Sequence, residues 1–259
     1  MTAREIVDAI RKNLGVPWNE KSFRDTFKAG NPDVQVKGIA TTVMATFDLV
    51  RRAHAAGMNM VITHEPTFWS DHDDTANLQN NATFVAKTEF CLKNDIVVWR
   101  FHDHWHARKP DMQIGATVRA LGLSAPANSL GLPSYVIPET TLDSFATDVK
   151  RKMQSRALRV VGDPNTKVRR ITVGVGSGVP RLNRDVDVIV GGETEEVDTA
   201  LDNAEYAVDA ASLNMAKGAI VLGHVISEEL GMRDAGEWIS TFIKDVPVQF
   251  IPAGEPFWV

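Results

Sequence analysis

Five of the seven histidines come directly after short apolar runs that predict buried β-strands. The segment VITHEPTFW (61–69) ends such a run at His64 and Glu65, and WRFHDHWHA and VLGHVISEE continue the pattern. The five are His64, His102, His104, His106 and His224. In an open α/β sheet the carboxyl ends of parallel strands form the edge where ligands bind, so we expect these imidazoles there. The other two, His54 and His72, lie in a predicted helix and a polar loop.

The segment HDHWH has the spacing of a metal site. His102 and His106 are four residues apart, so one helical turn or a tight turn would bring both rings to the same side. His104 joins them only if the segment is extended, whereas Asp103 offers a carboxylate in any conformation. Imidazole combined with carboxylate suits Zn, Fe, Mn, Ni or Co better than Ca or Mg. A polar, solvated loop is the alternative.

Two further pairs combine an imidazole with a carboxylate. His224 and Glu228 are four apart at the start of a predicted helix and share one face, although an acidic first turn that stabilises the helix explains Glu228 equally well. His64 and Glu65 would point apart within a strand but can converge after its end. Pro66 restricts Glu65 to extended conformations.

Together these segments predict one set of metal ligands. The set contains His64, Glu65, His102, His106, His224 and Glu228. Four imidazoles and two carboxylates are too many for one tetrahedral zinc and suit two metals that share a carboxylate. Structural zinc sites prefer cysteine, and the one cysteine, Cys91, lies in a helical pattern typical of a buried core thiol. An open, catalytic type of site is therefore favoured.

Apolar runs and helical patterns alternate along nearly the whole chain, which predicts an α/β fold with mostly parallel sheets covered by helices. With 259 residues, we expect two intertwined lobes, 1–130 and 131–259, with a boundary in the Pro/Ser/Gly-containing segment 124–134. At the N-terminus, Thr2 and Glu5 predict a helix that begins with a capping box.

Composition limits the function classes. The net charge is −5 and no dense Lys/Arg cluster is present, which counts against a dedicated nucleic-acid binder. No segment approaches the length and hydropathy of a membrane span or a signal peptide. A single cysteine fits a reducing compartment, so we expect a cytoplasmic protein.

With these motifs in place, the chain resembles the dinuclear metal-centre hexameric proteins. These are the Ngg-one-interacting-factor-three-like proteins, also called GTP cyclohydrolase I type 2 homologues. The family motifs read roughly ITHHP, His-x-x-x-Asp and GHxxxE, and they correspond here to ITHEP, HDHWH and GHVISE. A further family GD or GE is similar to VGGETEE, which contains Glu193 and Glu195. Their order and spacing agree over nearly the whole chain.

The resemblance implies a two-lobed α/β protomer with two divalent transition-metal ions in the cleft between the lobes. It also implies a homohexamer, a toroid of three dimers. Glu193, or alternatively Glu195, would then lie near the metals, where it could act as a general base if it reaches the bridging water. The corresponding activity is hydrolysis of a phosphoester, a nucleotide or a C–N bond.

Two positions depart from the family motifs. The second histidine of the first motif is Glu65 here, and the aspartate of the second is His106, so these two match by position only. His64, His102, His224 and Glu228 match by residue type. A compensating exchange of carboxylate and imidazole is the favoured interpretation. Loss of one metal, or a changed metal preference, is the alternative.

Two functions remain open at this level. The leading hypothesis is a metal-dependent hydrolase, and the alternative is a non-enzymatic ring that binds, stores or delivers metal or serves as a binding platform. An enzyme needs a substrate-sized pocket, whereas a carrier does not. The glycine-rich GVGSGVPRL lacks the lysine of a phosphate-binding loop. Three tryptophans flank the motifs and could stack on a base, although core packing is favoured: Trp69, Trp99 and Trp105.

Overall fold

The computed structural model describes residues 1–124, 133–178, 182, 185–196, 204–215 and 217–258. The predicted lobe boundary at 124–134 therefore lies mostly outside the described residues, as does part of GVGSGVPRL. Within the described residues, the chain forms a mixed α/β fold with eight helices and two five-stranded sheets. The predicted fold class is confirmed.

The helices are α1 (Ala3–Asn13), α2 (Phe47–Ala55), α3 (Ala82–Lys93), α4 (Asp103–Ala107), α5 (Met112–Ala120), α6 (Leu142–Met153), α7 (Ala204–Ser212) and α8 (His224–Ile239). The strands are β1 (Phe27–Ala29), β2 (Ile39–Thr42), β3 (Met60–Thr63), β4 (Val97–Arg100), β5 (Ser134–Thr141), β6 (Arg159–Val161), β7 (Lys167–Val173), β8 (Val188–Gly191), β9 (Gly218–Val221) and β10 (Val248–Phe250). Helix α1 begins with the predicted capping box of Thr2 and Glu5.

The chain divides into two compact units that alternate along the sequence. The first contains residues 1–112 and 231–253, and the second contains residues 113–230 and 254–259. The division into lobes 1–130 and 131–259 stays a prediction.

The first unit contains the sheet with strand order β1-β4-β3-β2-β10. All its pairings are parallel except β1 with β4. Every residue of β2, β3 and β4 is buried, as expected for parallel strands covered on both faces. Cys91 packs in the core around this sheet, and burial raises the pKa of its thiol to about 11, which confirms the predicted core role.

The second unit contains the sheet with strand order β5-β7-β8-β9-β6. Its three central strands are parallel, and both edge strands are antiparallel to their neighbours. Helix α6 packs its apolar face, including Phe145 and Val149, into the core of this unit. Among the residues that the structure describes, every helix is too short or too polar to span a lipid bilayer.

Candidate metal centre

The register of two central strands places His64 and His102 at the same edge of the first sheet. Strands β3 and β4 run parallel with Thr63 opposite Arg100, so the chain leaves both strands at one level. The N–H of Phe101 continues the ladder by donating to the Thr63 carbonyl oxygen (2.8 Å). The rings of His64 and His102 consequently stack with their centroids 4.4 Å apart.

Helix α4 adds His106 to this pair. The His106 N–H donates to the carbonyl oxygen of His102 (3.1 Å), so the two side chains are one turn apart. The ring of His106 lies 4.8 Å from that of His102 and 5.0 Å from that of His64. Of the conformations that the spacing left open, the chain adopts the helical one. We call His64, His102 and His106, together with Glu65, the histidine cluster.

Each imidazole of the cluster uses its Nδ1 in the same way. The Nδ1 atoms donate to oxygens that can only accept: the Phe101 carbonyl for His64 (3.0 Å), Asp103 for His102 (3.0 Å) and Asp111 for His106 (2.8 Å). A neutral imidazole that donates from Nδ1 carries a lone pair on Nε2. The cluster therefore has the tautomers of metal-binding histidines whose second nitrogen is held by a carbonyl or carboxylate oxygen.

Burial keeps two of these rings neutral. It lowers the pKa of His64 well below 6.5, and the neighbouring His102 and His106 lower it further. Burial is also the main reason why the pKa of His102 is lowered, although Glu65 opposes the shift. Burial raises the pKa of Asp103, but hydrogen bonds from Ser22 and His102 outweigh it, so this carboxylate stays ionised.

The donor atoms have the spacing that a transition metal requires. The ligand atoms of the three histidines all lie within 4.8 Å of one another, and the Nε2 atoms of His64 and His106 are 3.2 Å apart. Zinc with bonds of about 2.0–2.1 Å has ligand–ligand edges of about 3.3–3.4 Å in a tetrahedron. Glu65 Oε1 lies 3.5 Å from Nε2 of His102 and 4.0 Å from Nε2 of His64. The residues present therefore fit a bound divalent cation.

A loop that sequence reasoning missed positions α4. Both carboxylate oxygens of Asp25 accept backbone N–H groups at the start of this helix, from His102 (2.6 Å), Asp103 (3.0 Å) and His104 (2.9 Å). The hydroxyl of Ser22 donates to Asp103 as well (2.8 Å). Asp25 precedes these residues by 77–79 positions and lies in no recognisable ligand motif, so no local signal pointed to it.

His104 is tied to the same loop and not to the cluster. Its Nδ1 donates to Asp25, and its Nε2 accepts the N–H of Asn19 (2.7 Å). The ring is buried and stacks on Trp18 with centroids 3.7 Å apart. Both ring nitrogens thus attach α4 to the loop.

Hydrogen bonds between two side chains and the backbone also fix the segment after His64 and Glu65. Asp73 accepts the N–H groups of Thr67 and Phe68 (both 2.7 Å), and the buried ammonium of Lys87 donates to the Thr67 carbonyl oxygen (2.6 Å). Trp69, with φ of 69°, leaves 56% of its side chain exposed, which contradicts the core packing favoured for it. The hydrogen bonds to Asp73 hold the preceding residues in a turn, and the ring of Trp69 lies outside the core there.

The other two tryptophans are core residues, as predicted. Trp99 and Trp105 are fully buried: the ring of Trp99 stacks on Phe101, and the ring of Trp105 lies 5.6 Å from Phe101 at a tilt.

The second unit contains another group of predicted site residues. Helix α8 begins at His224, whose Nε2 lies 3.3 Å from Oε2 of Glu228 one turn later. The Nδ1 of His224 donates to Glu193 (3.0 Å), the contact expected of a carboxylate that orients a metal-binding histidine. We call His224, Glu228 and Glu193 the His224 group.

Glycines make room for the His224 group. A Cβ on Gly176 would lie 2.6 Å from Oε1 of Glu228 and 3.0 Å from Nε2 of His224, and the backbone there has φ of +57°. The N–H of Gly176 donates to the hydroxyl of Ser227 (2.9 Å), and its carbonyl accepts from Glu193 N–H (2.8 Å). The loop is therefore fixed against the side chains that it borders.

A cavity of about 300 Å³ lies in the same unit. Its lining includes Gly223, the residue before His224, and the exposed aromatic rings of Phe257 and Trp258. Arg159 supplies a positive charge at its wall.

The family is decided by comparison with known sequences. The profile described as Duf34/NIF3 (NGG1p interacting factor 3) matches residues 1–256. This chain belongs to the DUF34/NIF3 family. The predicted family resemblance is thereby confirmed.

Relatives and solved structures agree with membership of DUF34/NIF3. A GTP cyclohydrolase 1 type 2 homolog of Clostridium acetobutylicum is 25% identical over 214 residues, 77% of this chain and 75% of the relative. One from Staphylococcus aureus is 34% identical over 89 residues, which cover 33% of this chain and 24% of the length of that relative. The crystal structure of a S. aureus hypothetical protein has the same fold, with a TM-score of 0.76, 18% identity and coverage of 100% of this chain and 99% of that one.

Within DUF34/NIF3, the two departures from the predicted motifs lie in one group. Glu65 and His106 both belong to the histidine cluster, with His64 and His102. The other predicted ligands, His224 and Glu228, lie together in the His224 group.

Proposed function

We propose that this DUF34/NIF3 protein binds two divalent transition-metal ions and uses them to hydrolyse a small-molecule substrate. The observation that carries the proposal is the histidine cluster. Three imidazoles hold their Nδ1 hydrogens on fixed oxygens and present Nε2 lone pairs to one another. Neutral lone pairs at this spacing repel unless a cation lies between them, so metal binding explains their arrangement.

The proposed ligands are the four members of the histidine cluster with His224 and Glu228. Bound metals would activate a water molecule and stabilise a developing oxyanion. Asp103 and Asp111 would keep the imidazoles of His102 and His106 in the ligand tautomer. Glu193 would orient His224 through one oxygen and could accept a proton through the other, as a general base does.

The cavity beside His224 supports an enzyme over a metal carrier. Its volume of about 300 Å³ is at the lower end of small-ligand pockets, which suits a compact substrate. Its aromatic walls and Arg159 suit a planar, anionic group. A nucleotide, another phosphoester or a cyclic compound with a hydrolysable C–N bond has this chemistry.

Metal analysis of the purified native protein, prepared without chelators, tests the proposal first. We expect about two transition-metal ions per chain, followed by turnover of phosphoesters, nucleotides or amides by the loaded protein but not by a His64→Gln/Glu228→Gln variant. One ion or none would contradict a dinuclear centre. Full loading without turnover in any of these substrate classes would favour the carrier.

The homohexamer remains part of the proposal. Mass measurement in solution should give six times the chain mass of 28.5 kDa. A monomer or dimer would contradict it.

A further inference from the structure

Arg100 is a fully buried cation at the end of β4, beside the histidine cluster. Its Nε donates to the His64 carbonyl oxygen (3.0 Å), and its Nη1 donates to the Asp71 carbonyl oxygen (2.6 Å). Its Nη2 donates to Oε2 of Glu65 (3.3 Å) and to Oδ1 of Asp71 (3.1 Å). A buried charge is costly unless it is paired, and here every nitrogen of the guanidinium has an oxygen partner.

These contacts belong to a ring of five charged side chains that neutral His102 closes. Asp71 also accepts from Nε of Arg24 (2.9 Å), and Nη1 of Arg24 donates to Asp103 (3.3 Å). Asp103 accepts from His102, whose Nε2 lies 3.5 Å from Oε1 of Glu65. The hydrogen bonds from Arg24 and Arg100 lower the pKa of Asp71 to about 2, although burial opposes them.

The charges of this ring do not cancel. It contains three carboxylates, of Glu65, Asp71 and Asp103, and two guanidiniums, of Arg24 and Arg100. With His102 neutral, the net charge is −1. The excess negative charge lies in contact with the imidazoles. This excess attracts a cation to the histidine cluster.

The ring assigns different tasks to the two oxygens of Glu65. Oε2 faces Arg100, whereas Oε1 faces the Nε2 atoms of His102 and His64. We propose that Arg100 is a positioning residue that makes Glu65 a one-oxygen metal ligand by holding its second oxygen. This inference rests on the proposed function, since it assigns Arg100 a role in metal binding.

A merely structural ion pair makes a different prediction. If Arg100 only stabilised the fold, its replacement would lower the melting temperature and leave the coordination of a bound metal unchanged. If Arg100 restrains Glu65, its loss frees Oε2 to bind the metal as well. The coordination number then rises, which weakens the visible absorption of bound Co²⁺.

Titration of the metal-free protein with Co²⁺ separates these roles. Arg100→Lys keeps the charge but loses the planar fork that reaches several oxygens at once. We expect Co²⁺ binding about 10–100-fold weaker, as for other partners that orient metal ligands, together with a lower molar absorption. The matched control is Arg52→Lys. The exposed guanidinium of Arg52 likewise donates to a carboxylate, of Asp48, and to a carbonyl oxygen, of Pro252.

A cycle with Glu65→Gln tests whether Arg100 acts through Glu65. Arg100→Lys should weaken Co²⁺ binding much less in the Glu65→Gln background than in the wild type. If Arg100→Lys does not fold, Asp71→Asn is the second variant. Half-exposed Asp71 accepts from Nη2 of Arg100, so this substitution should change Co²⁺ affinity and absorption in the same direction.

The outcomes distinguish this inference from the proposed function. The inference on Arg100 fails, and the proposed function stands, if the folded Arg100 or Asp71 variant keeps wild-type Co²⁺ affinity and absorption. Equal losses of affinity with and without Glu65→Gln would have the same meaning. A wild-type protein that binds no Co²⁺ or Zn²⁺ would overturn both.

Discussion

The histidine cluster and the His224 group use the same residue types in opposite environments. His64 is fully buried, and its Nδ1 is held by the backbone of the neighbouring strand. His224 leaves 25% of its side chain exposed, and its partner Glu193 leaves 53% exposed. The first group lies beside buried ion pairs, whereas the second borders the loop of Gly176 and follows Gly223, which lines a cavity.

This contrast separates holding a metal from reaching a substrate. Buried ligands with fixed tautomers need little reorganisation when a metal binds, which favours affinity. Exposed groups beside a cavity can exchange protons with solvent and meet a substrate. We therefore expect substitutions in the histidine cluster to act mainly on metal affinity, and those in the His224 group to act on occupancy and reactivity together.

The largest effect should come from His64→Gln. Glutamine fills most of the buried space but removes the Nε2 lone pair at the centre of the cluster. We expect the Kd for Zn²⁺ to rise by ~100-fold or more, beyond the 10–100-fold that orienting partners contribute. Competition with a chromophoric chelator measures it. His54→Gln, on the exposed side of α2, is the control, and equal affinities in the two variants would refute a ligand role.

Glu228→Gln should have the next largest effect. Glu228 is 2% exposed, and the substitution preserves its shape while removing the charge. We expect a lower metal content per chain without unfolding, measured by elemental analysis beside a thermal melt. Glu229→Gln, one residue further along α8, should retain full occupancy. Full occupancy in Glu228→Gln as well would count heavily against the proposed ligand set.

Gly176→Ala probes the wall of the His224 group. The added Cβ meets Glu228 and His224, and alanine is strained at the positive φ by about 1 kcal/mol or more. Gly254→Ala carries the same backbone strain with nothing within 4 Å. In urea titrations we expect Gly254→Ala to lose about 1 kcal/mol and Gly176→Ala clearly more. Equal losses of stability would mean that Gly176 is needed only for its positive φ and not for the space beside Glu228 and His224.

The smallest effect should be the contribution of the histidine cluster to the pH dependence of stability. The folded-state pKa values of His64 and His102 lie below their usual 6.5, so the unfolded chain takes up protons first as the pH falls. Stability of the metal-free protein is therefore fully present above about pH 7 and declines as the pH falls through 6.5 towards the folded-state values. Melts in chelator between about pH 8 and 5.5 measure this slope. His64→Gln should flatten this slope, and an unchanged slope in that variant would contradict the assignment.

Much of the fold follows from local patterns in the chain. Strands β3 and β4 are largely apolar, and such runs predict parallel strands buried on both faces. Strands β1, β6 and β10 escaped prediction because three residues at a sheet edge are too few for a periodic signal.

The candidate site was predictable only where the chain itself places the proposed ligands. His64, His102 and His224 lie within three residues of a strand end, so the sheet edge determines their positions. Asp25 and Asp111 could not be found, because their roles depend on contacts that form only in the folded chain. Arg100 did carry a signal that was overlooked, since an arginine within an apolar strand needs a buried partner.

The capping of α4 by Asp25 has a consequence for the order of folding. A five-residue helix does not persist alone in water, because nucleation is unfavourable and few hydrogen bonds follow it. Its shape therefore depends on a carboxylate 77–79 residues earlier, and contacts that distant form late as a rule. We therefore expect the imidazole of His106 to reach its place only after much of the first unit has folded. Metal ions should accordingly bind a finished protein and contribute little to the rate at which it folds.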